Sequence, residues 1–546
     1  MKYSFFHLSF LLFVNLMVGH STDKYQFDSR EATIESVHHA IFSGKASCRE
    51  VVSSFLTRIE AFNPTINAII SLNPNALKSA DDFDSRIASQ NTTGALFCIP
   101  VLLKDNYDAV GMNTTGGCLD LADNFPSKDA AAVAALKKAG AIVLGKTNLH
   151  ELALEGLSVS SLGGQTVNPY DHTRTAGGSS GGTGASIATS FAVFGTGTDA
   201  VNSLRSPASA NSLFSVRPTR GLISRGGILP ISFTQDTIGP FARNLKDLAV
   251  ALTVMASVGT DLNDNATLLI PPSSKDLDYS KAIVGGTLEG VRIGALQGFF
   301  NRTSSNETTP VNQAMDREIS ALEAAGVIIV PINETVYNAA TLANLDVQRA
   351  EMRQVINSYL ASSSGPRPAT LNELYASGKF LVIPNQYSFV NIALVSSTNN
   401  ASYQPNQQGI SDLKMTLQAT FANNNLTAVI YPEQKNLVVP IGSPSQVGRN
   451  GILAALTGTP VVTIPIGFSE PNDNSPTGIP IGMEILGLPF TESKLLSIAA
   501  NIDRLGGMRK PPGFADAFLK AKNFSVVPTI TPLHNIPSAY PVGVLA

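Results

Sequence analysis

Apolar and polar positions along the chain follow helical spacing in some segments and extended spacing in others. Ser47–Glu50 has the form of a capping box, and apolar residues then recur at helical spacing over 51–62. This pattern predicts a helix that ends at Asn63-Pro64, because proline interrupts helical hydrogen bonding. A further helix is predicted over 129–138, and a short buried strand follows it over 141–145.

The same order of helix and strand returns further along the chain. A helical pattern gives way to a strand within 312–332, and runs suited to central strands occupy 426–432 and 479–486. Alternation of this kind is typical of an α/β fold. The sequence contains no internal repeat and no long low-complexity linker. We therefore expect one domain over 28–523 and an extended, proline-rich tail over 524–546.

The first 21 residues are predicted to be a secretory signal peptide. Lys2 precedes an apolar run from Phe5 to Val18, which is shorter than the roughly 20 apolar residues that a membrane-spanning helix requires. Gly19 and Ser21 supply small residues for cleavage, so the mature, secreted chain would begin near Thr22. An uncleaved signal anchor is the alternative interpretation.

Composition changes this picture in three respects. The 38 Lys and Arg residues against 41 Asp and Glu residues provide no basic surface, so nucleic acid is not an expected partner. The three cysteines have no metal-like spacing and allow at most one disulfide, with one thiol left over: Cys48, Cys98 and Cys118. Several acceptor patterns for N-glycosylation agree with export: Asn91, Asn113, Asn265, Asn301, Asn306, Asn333, Asn400, Asn425 and Asn523.

Two loops rich in glycine and serine, over 174–186 and 195–209, flank an apolar segment that reads as a buried helix. A flexible linker would lie in polar surroundings, so we interpret the loops as a cradle in which backbone N–H groups approach a ligand. A phosphate-binding loop is disfavoured because no Lys-Ser or Lys-Thr closes the glycines. Gly178–Gly182 formally matches the nucleophile-elbow pattern with Ser180, but only His534 would remain as its base.

Lys104 is a candidate for general-base chemistry. It ends an apolar run within 98–106 that is predicted to be a buried strand. Burial disfavours the charged ammonium, and lowering a lysine pKa from about 10.4 towards 7 or 8 requires about 4 kcal/mol. Asp105 would point to the opposite face of the strand, so a direct catalytic role for it is not expected. His150 and His172 lie near these motifs, but neither has metal-like spacing.

Four motifs together resemble the amidase signature family, and most closely its secreted fungal amidases. They are PVLLKDN before Tyr107, GKTNLHEL over 145–152, RTAGGSSGGTGAS over 174–186 and GTDAVNSLRSPAS over 197–209. The resemblance extends over nearly the whole mature chain. It implies a large mixed central β-sheet covered on both faces by α-helices.

The resemblance also implies a Ser-cisSer-Lys triad. Ser203 matches the nucleophile, Ser179 the bridging serine on a cis peptide bond, and Lys104 the base. The backbone N–H groups of Ala200, Val201, Asn202 and Ser203 match the oxyanion hole.

The chain departs from the family pattern before the nucleophile. Ala200-Val201-Asn202 stands where Ile-Gly-Gly is common, which puts the oxyanion geometry and the substrate shape in question. Asp199 and Arg205 flank the nucleophile, and we expect them to pair and support its loop. Cys98 also replaces a usual glycine.

The sequence therefore predicts a secreted amidase that hydrolyses a carboxylic amide of a small molecule without metal or cofactor. An esterase or acyl transferase with the same acyl-enzyme is the first alternative, because ester cleavage needs less leaving-group protonation. A secreted binding protein that lost activity through Ala200-Val201-Asn202 is the second. A component of a glutamyl-tRNA amidotransferase shares the motifs, but the export signal and the lack of a basic surface disfavour it.

Overall fold

The computed structural model describes residues 25–89 and 94–545, so the predicted signal peptide over 1–21 and Asn91 lie outside the described residues. The strands are β1 Ile69–Leu72, β2 Ile99–Lys104, β3 Ala141–Thr147, β4 Val159–Ser160, β5 Gly164–Gln165, β6 Phe194–Asp199, β7 Phe214–Arg217, β8 Thr237–Ala242, β9 Arg292–Leu296, β10 Ile328–Ile332, β11 Ala428–Pro432, β12 Val461–Phe468 and β13 Pro480–Leu486.

The α-helices are α1 Ile34–Phe42, α2 Cys48–Ile66, α3 Ala76–Ala88, α4 Ala131–Lys138, α5 Gly181–Ala188, α6 Arg205–Ala210, α7 Leu245–Ala256, α8 Thr309–Ala324, α9 Ala339–Leu342, α10 Gln348–Ser362, α11 Leu371–Ala376, α12 Tyr387–Val395, α13 Tyr403–Asn424, α14 Ile452–Thr457 and α15 Glu492–Gly506. None of the helices in the described ranges is long and apolar enough to cross a lipid bilayer.

Eleven strands form one mixed sheet in the order β1-β3-β2-β6-β8-β7-β12-β13-β11-β9-β10. β2 runs parallel to β3 and β6, whereas β8 is antiparallel to β6 and β7. Every residue of β2, β3, β6 and β8 is buried. Because successive side chains of a strand point to opposite faces, both faces of the sheet are covered. The predicted α/β fold with a large mixed sheet is confirmed.

The helix that begins at the capping box continues further than its sequence predicted. Ser47 and Glu50 form the reciprocal box, but α2 runs through Pro64 and ends at Ile66. Asn67 takes a left-handed conformation with φ of 49°, and its N–H donates to the Asn63 carbonyl. The prediction that Asn63-Pro64 stops the helix was therefore wrong, because the capping conformation at Asn67 determines the end.

The C-terminal tail contains neither helix nor strand between residues 524 and 545. It packs against the domain: Val527 and Ile530 contact the hydrophobic core, and Tyr540 is buried. Asn535 accepts hydrogen bonds from the Asn67 side chain at 3.1 Å and from the backbone of Gln165 at 2.8 Å. These contacts hold the extended tail beside β5.

A disulfide joins Cys48, at the start of α2, to Cys98, directly before β2, and Cys118 remains a buried free thiol. Cys98 has φ of 59°, a conformation that favours glycine, which is the usual residue at this position in the resembling family. The bridge thus anchors the strand that carries Lys104 to a helix 50 residues earlier.

Loss of this bridge is expected to destabilise the fold. For the loop of 50 residues that it closes, the chain-entropy model assigns about 4 kcal/mol. Thermal unfolding of Cys48→Ala should therefore occur at a clearly lower Tm than that of the parent chain, and dithiothreitol should not lower it further. Cys118→Ala is the matched control and should remain sensitive to dithiothreitol. Equal Tm values for Cys48→Ala and the parent chain would contradict the prediction.

Candidate active site

Lys104 is the last residue of β2 and its side chain is fully buried. Its Nζ lies 2.7 Å from the Ser179 hydroxyl and 2.8 Å from the Thr198 hydroxyl. No carboxylate of the described residues lies within 4.0 Å of this amine. Burial lowers the pKa of Lys104 to about 7, against a smaller opposing effect of the more distant charges of Asp199 and Asp236. The amine can therefore be neutral at physiological pH.

Ser179 is held at the start of α5 by the glycine-rich loop. The Gly178–Ser179 peptide bond is cis, and the Ser179 carbonyl accepts a hydrogen bond from the backbone of His150 at 2.9 Å. A Cβ on Gly182 would lie 2.2 Å from the Asn148 carbonyl oxygen, so only glycine permits this close approach. The loop is a packed segment rather than a flexible linker.

Ser203 lies on the turn between β6 and α6, directly after the strand that carries Thr198. It retains 7% of its surface exposed, whereas Lys104 and Ser179 have none. No described residue hydrogen-bonds to the Ser203 hydroxyl. The structure thus brings Lys104 and Ser179 into contact and leaves the hydroxyl of Ser203 free at the more open side.

In the backbone of residues 200–203, which we call the 200–203 turn, the first three carbonyl groups accept hydrogen bonds, whereas the N–H groups are free. The Ala200 carbonyl accepts from the Gln235 side chain at 3.2 Å, and the Asn202 carbonyl accepts from the N–H of Ser206 at 2.8 Å. The Val201 carbonyl accepts from the Arg205 guanidinium. None of the four N–H groups of the turn donates to a described residue. Free donors of this kind are what a developing oxyanion requires.

A buried charge cluster supports the turn. Arg205 donates to Asp199 at 3.0 Å and to Glu484 at 2.8 Å, and Arg217 donates to Asp199 at 2.6 Å. Burial raises the pKa of Asp199, but the charges of Arg205 and Arg217 outweigh it and lower the pKa overall. The expected pair of Asp199 and Arg205 is present. Asp199 also accepts from the N–H of Leu204 at 3.1 Å, which closes the turn.

Sequence reasoning missed three residues of this region. Thr198, which contacts Lys104, could have been found from its alternation with Thr196 along β6, because both lie on the face of Lys104. Arg217 and Glu484 could not have been found from a local pattern, because they reach Asp199 and Arg205 from distant strands.

A cavity of about 1210 Å³ adjoins the site. Thr198 and Ala200 contribute to its lining, which also includes the apolar side chains of Leu229, Ile231 and Phe233. Ser203 is not among the residues that line it. The volume accommodates a substrate larger than a simple aliphatic amide.

The other candidates take structural positions. Asp105 pairs with Lys146 at 3.1 Å, away from Lys104. Burial lowers the pKa of His150 to about 3, so His150 stays neutral and is a poor base.

The alternative nucleophile Ser180 has no base. Its hydroxyl donates to the Thr198 carbonyl at 3.3 Å, and no described histidine ring lies within hydrogen-bonding distance of it. The described residues contain no cluster of side chains suited to hold a metal ion.

The architecture and the relatives of this chain indicate a hydrolase that acts on carbon–nitrogen amide bonds. The family model described as Amidase matches residues 50–496, and the chain belongs to this amidase signature family. The solved peptide amidase of Stenotrophomonas maltophilia is 30% identical, with a TM-score of 0.77 over 89% of this chain and 99% of that chain. Among curated proteins, a glutamyl-tRNA(Gln) amidotransferase component from Acinetobacter baumannii is 31% identical over 86% of this chain and 95% of its own length. A probable amidase of Arabidopsis thaliana is 28% identical over 89% and 92%.

Proposed function

We propose that the protein is a secreted amidase that uses Ser203 as nucleophile, Ser179 as proton relay and Lys104 as base. The observation that carries this proposal is the contact of 2.7 Å between a fully buried lysine amine and the Ser179 hydroxyl. A neutral amine in this position can accept a proton, whereas an ammonium cannot. The free Ser203 hydroxyl and the free N–H groups of the 200–203 turn supply the two other components of acyl transfer.

In the first step the Ser203 oxygen bonds to the amide carbonyl carbon. Its proton passes to the Ser179 oxygen while the Ser179 proton passes to the Lys104 amine. The carbonyl electron pair moves to oxygen, where the N–H groups of the 200–203 turn stabilise the charge. The carbon–nitrogen bond then breaks as a proton returns through Ser179 to the leaving nitrogen, which departs as an amine or ammonia.

The acyl-enzyme is hydrolysed by the same groups. Water attacks the acyl carbon and gives its proton through Ser179 to Lys104. The bond between carbon and the Ser203 oxygen breaks, the proton returns to that oxygen, and the carboxylic acid leaves. Each group is restored, so the cycle consumes only the amide and one water molecule.

A substrate panel tests this function. Aliphatic, aromatic and peptide amides, with matched esters, should be offered to the purified protein while acid and amine release are measured. We expect amide turnover, with larger amides favoured by the cavity of about 1210 Å³. Turnover of esters alone would replace the amidase proposal with an esterase. Absence of turnover together with absence of fluorophosphonate labelling at Ser203 would favour a binding protein.

Secretion is part of the proposal and rests on three features. The predicted signal over 1–21 would direct export, and the disulfide between Cys48 and Cys98 is of a kind that persists in oxidising compartments. Most of the described acceptor asparagines are exposed, including Asn306, Asn333 and Asn400.

Asn113 is expected to stay unmodified in the secreted protein. Its side-chain nitrogen donates to the Ala122 carbonyl at 2.6 Å, and Thr115 of the same acceptor pattern is buried. A glycan at this nitrogen would displace that bond, whereas Asn333 is open to solvent. Peptide mapping after enzymatic deglycosylation in ¹⁸O-labelled water should mark Asn333 and leave Asn113 unmarked. A glycan on folded, active protein at Asn113 would contradict this, and no glycan at any site would count against export.

A further inference from the structure

The side chain of Asn202 is anchored on a surface formed by a distant segment. Its Nδ2 donates to Glu433 Oε1 at 3.2 Å, and both residues are buried. The same segment supplies Gly451: a Cβ there would lie 2.4 Å from the Asn202 Cβ and 2.5 Å from the Val201 carbonyl oxygen. Only glycine at position 451 leaves room for the asparagine side chain.

The segment is itself well fixed. The Glu433 N–H donates to the Gly482 carbonyl at 3.1 Å, and the Glu433 carbonyl accepts from the N–H of Asn450 at 3.1 Å. The Gly451 carbonyl accepts from the Arg205 guanidinium at 2.9 Å. Asn202 therefore contacts a rigid surface and not a loop free to follow it.

The buried charges around Glu433 disfavour its ionised form. Asp199 and Glu484 are two fully buried carboxylates matched by two fully buried guanidinium groups, those of Arg205 and Arg217. Glu433 forms no ion pair with any described residue, and its Oε2 has no hydrogen-bond partner. Burial, with the nearby Glu484 charge, raises the pKa of Glu433 well above its usual value. A neutral carboxyl can accept from Asn202 through one oxygen and carry its proton on the other.

We infer that Glu433 is a positioning residue for the 200–203 turn: its carboxyl holds the Asn202 side chain and thereby fixes the direction of the adjacent N–H groups. This inference rests on the proposed function and deepens it. It also gives a role to the asparagine that replaces a common glycine of the family. A side chain held by a hydrogen bond restricts a turn that glycine would leave more mobile.

The test compares Glu433→Gln with Glu433→Leu. Glutamine keeps an acceptor for Asn202 and carries no charge, so it should retain at least about half of kcat. Leucine removes the acceptor and should lower kcat between about 10- and 100-fold with KM nearly unchanged, because misdirected donors act on the transition state. Asn202→Ala should cause a similar loss, and the double variant Asn202→Ala/Glu433→Leu should lose no more than either single one.

Gly451→Ala tests the positioning of the 200–203 turn independently of Glu433. The added methyl would press on Asn202 and Val201, so we expect kcat to fall at least about 10-fold. Gly513→Ala is the matched control, since a Cβ at Gly513 meets no atom within 4 Å, and it should behave as the parent chain. Melting temperatures measured in parallel identify any variant that lost activity by unfolding.

Hydrogen exchange over residues 196–206 provides a readout that does not depend on turnover. Exchange should become faster in Glu433→Leu and stay at the parent rate in Glu433→Gln. If kcat and exchange in Glu433→Leu match the parent chain, the inference is overturned. If the parent chain hydrolyses no amide but exchange still responds to Glu433→Leu alone, the proposed function fails while the positioning role stands.

Discussion

Replacing Ser203 with alanine is expected to lower kcat for amide hydrolysis by at least about 10⁴-fold. Without the hydroxyl there is no atom to form the acyl-enzyme, and the remaining donors of the 200–203 turn can stabilise only direct attack by water. The fold should survive, because the Ser203 hydroxyl has no hydrogen-bond partner among the described residues. Steady-state kinetics, with circular dichroism and Tm as checks on folding, measure this result.

Ser206→Ala is the matched control for this variant. The Ser206 hydroxyl is buried in α6 without a hydrogen-bond partner among the described residues, so its loss should leave turnover near that of the parent chain. A fluorophosphonate probe should label the parent and Ser206→Ala and should not label Ser203→Ala. Full activity in Ser203→Ala would refute the assignment of the nucleophile.

The second large effect that we expect is the dependence of turnover on Lys104 and on its protonation. Because burial lowers the pKa of Lys104 to about 7, the amine is neutral above that pH and protonated below it. The fraction of neutral Lys104 therefore falls with pH, and kcat/KM should decrease about tenfold per pH unit below about 7. Lys104→Met should lower kcat at least about 10³-fold at every pH, since no base remains. Lys104→Arg should be equally impaired because a guanidinium stays charged.

Lys78→Met is the control for these variants, since Lys78 is exposed on α3, and it should keep the parent pH profile. The profiles should be recorded with a neutral amide between about pH 5 and 9, a range that spans the loss of the base, so that the substrate itself does not titrate. A profile that rises towards acid, or that persists in Lys104→Met, would contradict Lys104 as the base.

Much of the site could be predicted because its parts are contiguous in sequence. The buried strand ending at Lys104, the glycine-rich loop around Ser179 and the loop carrying Ser203 are each short motifs with local physical requirements. A disulfide at Cys98 could also have been inferred, because Cys98 occupies a position where the family usually has glycine. This cysteine pairs with Cys48.

Local sequence patterns could not predict where α2 ends or which residues support the 200–203 turn. Pro64 predicted the end of the helix, but α2 continues to Ile66, where the left-handed conformation of Asn67 ends it. Asn202 and Glu433 are 231 positions apart, and Arg205 and Glu484 are 279 positions apart. No periodicity within a segment indicates which distant carboxyl it will contact.

Local spacing and buried apolar runs were sufficient to predict the α/β class, and the resemblance carried by the motifs added the mixed sheet and the residues available for chemistry. The pairing of Cys48 with Cys98, the contact of Lys104 with both Ser179 and Thr198, and the contact of Glu433 with Asn202 beside Gly451 could be read only from the folded chain. These contacts form where the fold brings distant segments together, and their strength depends on burial that no single segment possesses alone.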